Sequence, residues 1–316
     1  MERVPHDPCL LSLVVPFYNE AESLPELLPR LIAVAEQIAG QAYEIWLIDD
    51  GSTDGSFQVV RRFAQENPRV HGIRFRRNYG KSAALAVGFA EAQGRYVVTL
   101  DADLQDEPEE IPRLLAKLEE GYDLVSGWKR HRQDPLSKTL PSRLFNAVVS
   151  LVSGLRLHDF NCGLKAYRSE VVKTLQIYGE MHRYIPALAH WEGFRVTELP
   201  VRHHPRKYGR SKFGASRFVK GFLDLLTFIF TTRFLRRPLH LFGTLGIVFV
   251  VAGLLVDAYL VVEWWLGRTA LSNRPLLFFG LGLIIVGVQL VSLGLLGELV
   301  VKGSLAHGNY NIVERL

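Results

Sequence analysis

Residues 275–297 are a run of 23 residues without one formal charge. As an α-helix this run is about 34 Å long at ~1.5 Å per residue, enough to cross a bilayer core of roughly 30 Å. Such a segment must be kept from water, and its length predicts a transmembrane helix. Residues 241–262 predict a second span, whose only charge is Asp257. Asp257 lies near the far end of that span, where its carboxylate is expected to snorkel to interfacial water. The alternative, a transport path, lacks a basic relay partner in the other span. Glycines recur every seven residues, at Gly246 and Gly253 and at Gly280, Gly287 and Gly294. These smooth faces suit close packing within a hairpin, or between the protomers of a homo-oligomer.

The 37 Lys plus Arg and 32 Asp plus Glu leave a net charge of +5, but that surplus is local. Residues 1–201 carry −4, residues 202–237 hold ten basic side chains and one acid, and residues 238–316 are balanced. The net value alone suggests nucleic acid; its distribution points to a membrane surface and to no nucleic-acid partner. The loop between the spans has only Arg268 and Arg274 as basic residues. The positive-inside rule therefore predicts a multi-pass protein of the plasma (inner) membrane, with both termini cytoplasmic. A composition 48% hydrophobic and 22% charged excludes a disordered or collagen-like chain. Cys9 and Cys162 are too few for a disulfide framework, and MERVPHDPC lacks the apolar stretch of a cleavable signal.

In 216–237, Arg217, Lys220, Asp224, Thr227 and Thr231 form a polar stripe opposite Phe218, Phe222, Leu225, Leu226 and Ile229. This pattern predicts a basic amphipathic helix at the membrane interface. Ser142, Asn146, Ser150 and Ser153 form a similar stripe against Leu144, Val148, Leu151, Val152 and Leu155. That one fits an interfacial helix and a soluble-core helix equally well. The expected organisation is a catalytic domain at 1–215, the juxtamembrane helix at 216–237, the spans within 238–300 and a cytoplasmic tail at 301–316.

Within the first domain, β-rich runs at 11–16, 43–48, 70–75, 96–100 and 124–126 alternate with helical patterns at 23–39, 55–67, 80–92 and 108–120. This alternation predicts an α/β domain with a mostly parallel sheet. Ligands of such sheets lie beyond the strand carboxyl ends, where Asp49, Asp50, Asp101 and Asp103 fall. PFYNEAES has no G-x-G-x-x-G, and FRRNYGKS has Phe75 where a Walker loop needs its first glycine. Dinucleotide and triphosphatase sites are therefore disfavoured.

In DADLQDEPEE, Asp101, Asp103 and Gln105 supply hard oxygen ligands for Mg²⁺ or Mn²⁺. An EF-hand is disfavoured by Asp106 at the glycine position and Pro112 at the final glutamate position. Asp106, Glu107, Glu109 and Glu110 read as acids opening a helix around Pro108.

The motifs VVPFYNEAESL, IDDGSTDGS, RNYGKSAALAVG, DADLQDEPE and DFNCGLKAYR resemble those of glycosyltransferase family two. The resemblance is to its polyisoprenyl-phosphate branch, the dolichol-phosphate mannose synthases and their bacterial relatives, over roughly residues 10–215. It implies a GT-A fold, a UDP- or GDP-hexose donor, an undecaprenyl or dolichyl phosphate acceptor and transfer with inversion. It also implies that Pro16, Tyr18 and Glu20 line the nucleotide pocket, with Asp50 beside the base or ribose, Asp49 nearby and Lys81 on the donor. Asp101, Asp103 and Gln105 would hold the metal and the donor diphosphate. Lys129, Arg130, Arg132, Arg143 and Ser211 are candidates for the acceptor phosphate, and Arg206, Arg210 and Lys212 for closure over the donor. A lipid monophosphate is largely dianionic at neutral pH and needs no strong base; Asp159 is the candidate if one is used, and otherwise a loop-holding residue.

Two other readings compete. A processive polysaccharide synthase would carry Q-x-x-R-W and further spans, which this sequence lacks. A non-catalytic nucleotide-sugar-binding or transport scaffold would have no need of the metal triad.

Overall fold

The computed structural model describes residues 9–130, 136–205, 207, 238–268, 270 and 274–304, with 136–144 and 301–304 described by backbone alone. Arg132, Arg206, Arg210, Ser211, Lys212 and the segment 216–237 lie outside the described residues.

The soluble unit is built on a seven-stranded sheet of order β3-β2-β1-β4-β6-β5-β7. The strands are β1 (Leu11–Phe17), β2 (Tyr43–Asp49), β3 (Val70–Arg74), β4 (Tyr96–Thr99), β5 (Leu124–Trp128), β6 (Lys165–Arg168) and β7 (Val196–Pro200). All of β1 is buried, as a central strand covered on both faces must be. The pairs β1–β2, β2–β3, β1–β4 and β5–β7 are parallel, and β6 runs antiparallel between β4 and β5.

Helices α1 (Leu24–Ala39), α2 (Ser56–Glu66) and α4 (Ile111–Glu119) cover one face through Leu27, Leu31, Val60 and Leu114. On the other face lie α3 (Lys81–Glu91), α6 (Ser169–Thr174) and α7 (Ile185–Trp191), which pack Leu85, Phe89, Val171 and Ile185 against Val14, Val97 and Tyr167. Helix α1 shows why: Leu24, Leu27, Leu28, Leu31, Val34 and Ala35 recur at three- and four-residue intervals and are buried.

Helix α5 (Leu136–Ser153) turns two residues of its polar stripe inward. Asn146 and Ser153 are buried while Leu151 is 84% exposed, and the Asn146 amide donates to the His158 carbonyl at 2.7 Å.

The second unit is a helical hairpin of α8 (Pro238–Trp265) and α9 (Pro275–Ser304). Gly246 meets Gly287 and Val291, Gly253 meets Gly280 and Ile284, and Gly294 meets Leu239 and Phe242, so the helices run antiparallel. A Cβ on Gly246 would come within 2.5 Å of the Gly287 carbonyl oxygen, and one on Gly253 within 2.6 Å of the Gly280 carbonyl oxygen. The glycine faces are thus consumed inside the hairpin.

Both helices have a mean hydropathy of 2.5, and only 17% and 11% of their apolar windows are buried. Leu255, Tyr259, Phe278 and Leu296 face outward. Apolar surface on this scale belongs in lipid, and the protein is a membrane protein. Asp257 corrects one expectation: its Oδ1 is buried against Gly280 and has no hydrogen-bond partner among the described residues. Gly280 has no side chain to displace that carboxyl, so Asp257 is drawn into the helix contact instead of snorkelling outward.

Candidate active site

Two sequence-distant loops are laced together at the ends of β1 and β2. Asn19, in the left-handed region at φ 54°, donates its backbone N–H to Ser52 Oγ and accepts from the Thr53 N–H, each at 2.8 Å. The Glu20 N–H donates to Ser56 Oγ at 2.8 Å, and the Ala21 N–H donates to Asp54 at 3.2 Å. The Ser23 hydroxyl donates to the Glu20 carboxylate at 2.9 Å. Pro16, one residue before the end of β1, pairs with Ile48 of β2, and Tyr18 and Glu20 stand on the turn that follows.

The two acids at the end of β2 have separate partners. Asp49, fully buried, accepts from the Ser52 N–H at 2.7 Å and faces Arg74 at 3.3 Å. Asp50 accepts from the Tyr79 and Gly80 N–H groups at 2.7 and 3.0 Å, and burial pushes its carboxyl upward against these bonds. Gly51 (φ +78°) lies where a Cβ would come within 2.5 Å of the Arg77 backbone. Only glycine permits that approach. Asp50 thereby fixes the start of α3, and the next residue, Lys81, forms an ion pair with Asp101.

Asp101 follows β4 and begins the acidic turn. Leu104 adopts φ 59° without being glycine, a conformation found where a site needs a particular backbone path. The Gln105 N–H donates to Asp103 Oδ1 at 3.2 Å. The Gln105 side-chain amide donates to the His204 carbonyl at 3.2 Å, leaving its Oε1 as an acceptor. A Cβ on Gly163 would lie 2.5 Å from the Asp101 carboxylate, so that glycine makes the cradle in which Asp101 sits. No cluster of three or more His, Cys, Asp or Glu suited to a metal occurs among the described residues. The donor set here is two carboxylates and an amide oxygen, hard ligands that fit Mg²⁺ or Mn²⁺.

The segment 159–165 closes the other side. Thr99 Oγ1 donates to the Gly163 carbonyl at 3.0 Å. Asp159 is buried and accepts from the Asn161 N–H at 3.0 Å, a local turn that holds this loop. Lys165 is fully buried and donates to the Cys162 carbonyl. Burial lowers its ammonium to about 8, and burial raises the Cys162 thiol to about 12.

Asp106 is not a helix-opening acid. It is fully buried, 3.3 Å from Lys129 Nζ and 3.3 Å from His203 Nδ1. Burial would raise its carboxyl, but Lys129 and His203 outweigh burial and hold it well below the usual range. This buried group ties the acidic turn to β5 and to the chain after β7, and it takes up the charge of Lys129. Arg130 stays at the surface, with its guanidinium 5.7 Å from the Trp128 ring. Trp128 stacks on His158 at 4.1 Å. Arg143 lies on α5, described by backbone alone.

Sequence reasoning did not single out Ser82, Lys165 or His182. Ser82 Oγ and His182 Nδ1 are 3.0 Å apart, and Lys165 and His182 line one cavity with Lys81 and Asp101. The only sequence signal for Ser82 and Lys165 was position within the RNYGKS and DFNCGLKAYR motifs, and His182 lies in neither.

Residues 12–176 match Glycosyl transferase family 2. The chain belongs to that family. Among its relatives, the dodecaprenyl-phosphate galacturonate synthase of Rhizobium johnstonii is 36% identical over 300 residues, covering 92% of this chain and 88% of the relative. The undecaprenyl-phosphate 4-deoxy-4-formamido-L-arabinose transferase of Salmonella paratyphi A is 39% identical over 290 residues, covering 91% and 87%.

Solved structures show the same fold. Glucosyl-3-phosphoglycerate synthase of Mycobacterium tuberculosis, in complex with Mn²⁺ and UDP-glucose, superposes with a TM-score of 0.53 at 18% identity, over 71% of this chain and 78% of that one. A mannosyltransferase of Pyrobaculum calidifontis, in complex with GDP-mannose and Mn²⁺, gives 0.50 at 19% identity, over 97% and 83%.

Proposed function

We propose that this family 2 glycosyltransferase moves a sugar from a nucleotide sugar to the phosphate of a membrane polyprenyl phosphate, with inversion at the anomeric carbon. The observation that carries the reading is the convergence of Asp50, Lys81, Asp101 and Gly163 at the carboxyl ends of the central strands, in a chain that also has a lipid-facing hairpin. Its relatives in Rhizobium johnstonii and Salmonella paratyphi A support the acceptor, for both act in polyprenyl-phosphate chemistry by name. A soluble acceptor would require no hairpin, whereas a lipid phosphate is met at the headgroup plane.

Pro16, Tyr18, Glu20, Asp49 and Asp50 hold the nucleotide end, largely by fixing the two laced loops. Asp101, Asp103 and Gln105 hold a divalent metal, Mg²⁺ or Mn²⁺. When bound, that ion neutralises the donor diphosphate and stabilises its departure. Lys81 pairs with Asp101 when no cation competes and is positioned to turn to the diphosphate when one does. The acceptor phosphate is itself the nucleophile, so the residues need only orient it and relieve repulsion. Arg130 and Arg143, with Arg132 and Ser211, are the groups proposed for that work, while Arg210 and Lys212 are proposed to close over the donor. Asp159, committed to its own loop, serves as a positioning residue. The exposed Leu151 on α5 suits contact with a bilayer surface. We place the enzyme in the plasma (inner) membrane with its catalytic domain cytoplasmic.

A radiolabelled-donor assay on the full chain in undecaprenyl-phosphate bilayers tests the reading. Glycolipid should form with Mg²⁺ or Mn²⁺ and stop on chelation. Failure to form glycolipid with any UDP- or GDP-sugar would leave only a nucleotide-sugar-binding scaffold.

A further inference from the structure

We infer that a second copy of this chain packs against the outer face of α9, with the Gln289 side chains of the two copies hydrogen-bonded to each other in the middle of the bilayer.

Helix α9 carries two stripes. Gly280, Ile284, Gly287, Val291 and Gly294 meet α8 inside the hairpin. Phe278, Gly282, Ile285, Gln289, Ser292 and Leu296 follow the same alternation of four and three residues, the spacing that keeps a stripe facing a neighbouring helix. Gln289 is two residues past Gly287, slightly more than half a turn at ~3.6 residues per turn, so this second stripe lies on the side of α9 turned away from α8. Phe278, Ile285 and Leu296 are 73%, 50% and 60% exposed, and a Cβ on Gly282 would meet nothing within 4 Å. The glycines expected to join protomers are spent within the hairpin, which leaves contact between copies to the opposite stripe.

An apolar stripe alone would be satisfied by lipid, but Gln289 is not. It is exposed close to the middle of the apolar span Pro275–Val300, and it forms no hydrogen bond among the described residues. Hydroxyls of the hairpin are satisfied within their own helices: Ser292 Oγ donates to the Val288 carbonyl at 3.0 Å and Thr244 Oγ1 to the His240 carbonyl at 2.6 Å. A side-chain amide brings two N–H donors and an oxygen acceptor. Acyl chains offer partners for neither, so leaving it in hydrocarbon is costly.

That requirement selects the partner. The exposed mid-span residues of α8, Val248, Val251, Leu254 and Leu255, are apolar, and Asp257 is turned toward Gly280. Helix α8 of another copy therefore has nothing to offer the amide, whereas α9 of another copy presents the same amide at the same depth. Amides are complementary to themselves, the N–H of each donating to the oxygen of the other. Copies inserted with one orientation are related by a two-fold axis along the membrane normal, so their α9 helices run parallel and like residues meet near the axis. A slip of one turn would leave both amides unpaired, so the pair fixes register as well as adding attraction.

The test uses the full chain with Cys9→Ser, since Cys162 is buried, reconstituted in liposomes. Under mild oxidation, Ile285→Cys and Ser292→Cys should each give a disulfide-linked dimer, and Leu255→Cys on the far face of α8 should not. Single-molecule photobleaching at low protein-to-lipid ratio should count two copies of the unsubstituted chain per particle. Gln289→Leu should weaken that association about three- to thirtyfold, with unchanged hairpin melting in detergent because the residue points away from α8. Monomers of the unsubstituted chain would leave lipid, or a different protein, as the occupant of the stripe and overturn the inference. Cross-linking through Leu255→Cys as readily as through Ile285→Cys, or undiminished association of Gln289→Leu, would place the contact elsewhere and overturn it too. The cross-linking arm keeps Gln289 in place, so it decides the matter even where Gln289→Leu fails to fold.

Discussion

At the residue scale, the buried ion pair of Asp106 and Lys129 is the feature whose loss has the clearest expected cost. Asp106→Asn leaves a nearly buried ammonium without its counter-charge, which costs about 3–5 kcal/mol. Adding Lys129→Met should recover most of that loss. Urea denaturation of the two single variants and the double variant measures the coupling, and additive losses would contradict the pairing.

Lys165 gives a pH signature of opposite character. Its ammonium is lowered from 10.5 to about 8 by burial, so between those values the unfolded chain binds more protons than the folded one. Stability therefore rises with pH across that window, by up to about 3 kcal/mol from this residue. The ligand-free protein should gain stability between pH 8 and 10 relative to Lys165→Met. A constant difference between the two melting curves across that range would refute this.

At the element scale, the glycines of the hairpin are not equivalent. A Cβ on Gly287 would lie 2.6 Å from the Gly246 carbonyl oxygen, whereas one on Gly282 meets nothing within 4 Å. Gly287→Ala should push the helices apart and cost about 1–3 kcal/mol of hairpin stability by overpacking. Gly282→Ala should be neutral, or stabilise its helix by about 0.5–1 kcal/mol. Thermal unfolding in detergent micelles distinguishes them, and equal melting temperatures would contradict the packing.

The main strands of the soluble unit were legible because each is a short apolar run bounded by turn residues, and the observed bounds differ from the expected ones by a few residues at most. β6 and β7 were not. KAYR and VTELP have no pattern of their own, and they become strands because β4 and β5 offer them unpaired edges.

At the scale of the whole molecule, the division of charge and apolar surface yields one further expectation. A chain ending at Arg237 should still bind nucleotide sugar in solution. Its transfer to polyprenyl phosphate in bilayers should fall at least tenfold, because the hairpin concentrates the enzyme on the plane where its acceptor lies. Unchanged transfer by the truncated chain, measured with the same vesicles, would reduce the hairpin to a tether.

Local pattern and hydropathy in the sequence were enough to determine the βα order, the membrane hairpin and the acidic turn at 101–105, since each depends on neighbours within one segment. Only the tertiary structure decided which way the glycines face, that Asp257 turns inward and Asp106 is buried, and that Lys165 stands behind Asp101. Those outcomes depend on contacts between segments up to about 100 positions apart, such as Ser82 and His182. Burial and charge balance arise only when such segments meet, because the dielectric surroundings of a side chain are made by the fold around it and not by its sequence neighbours.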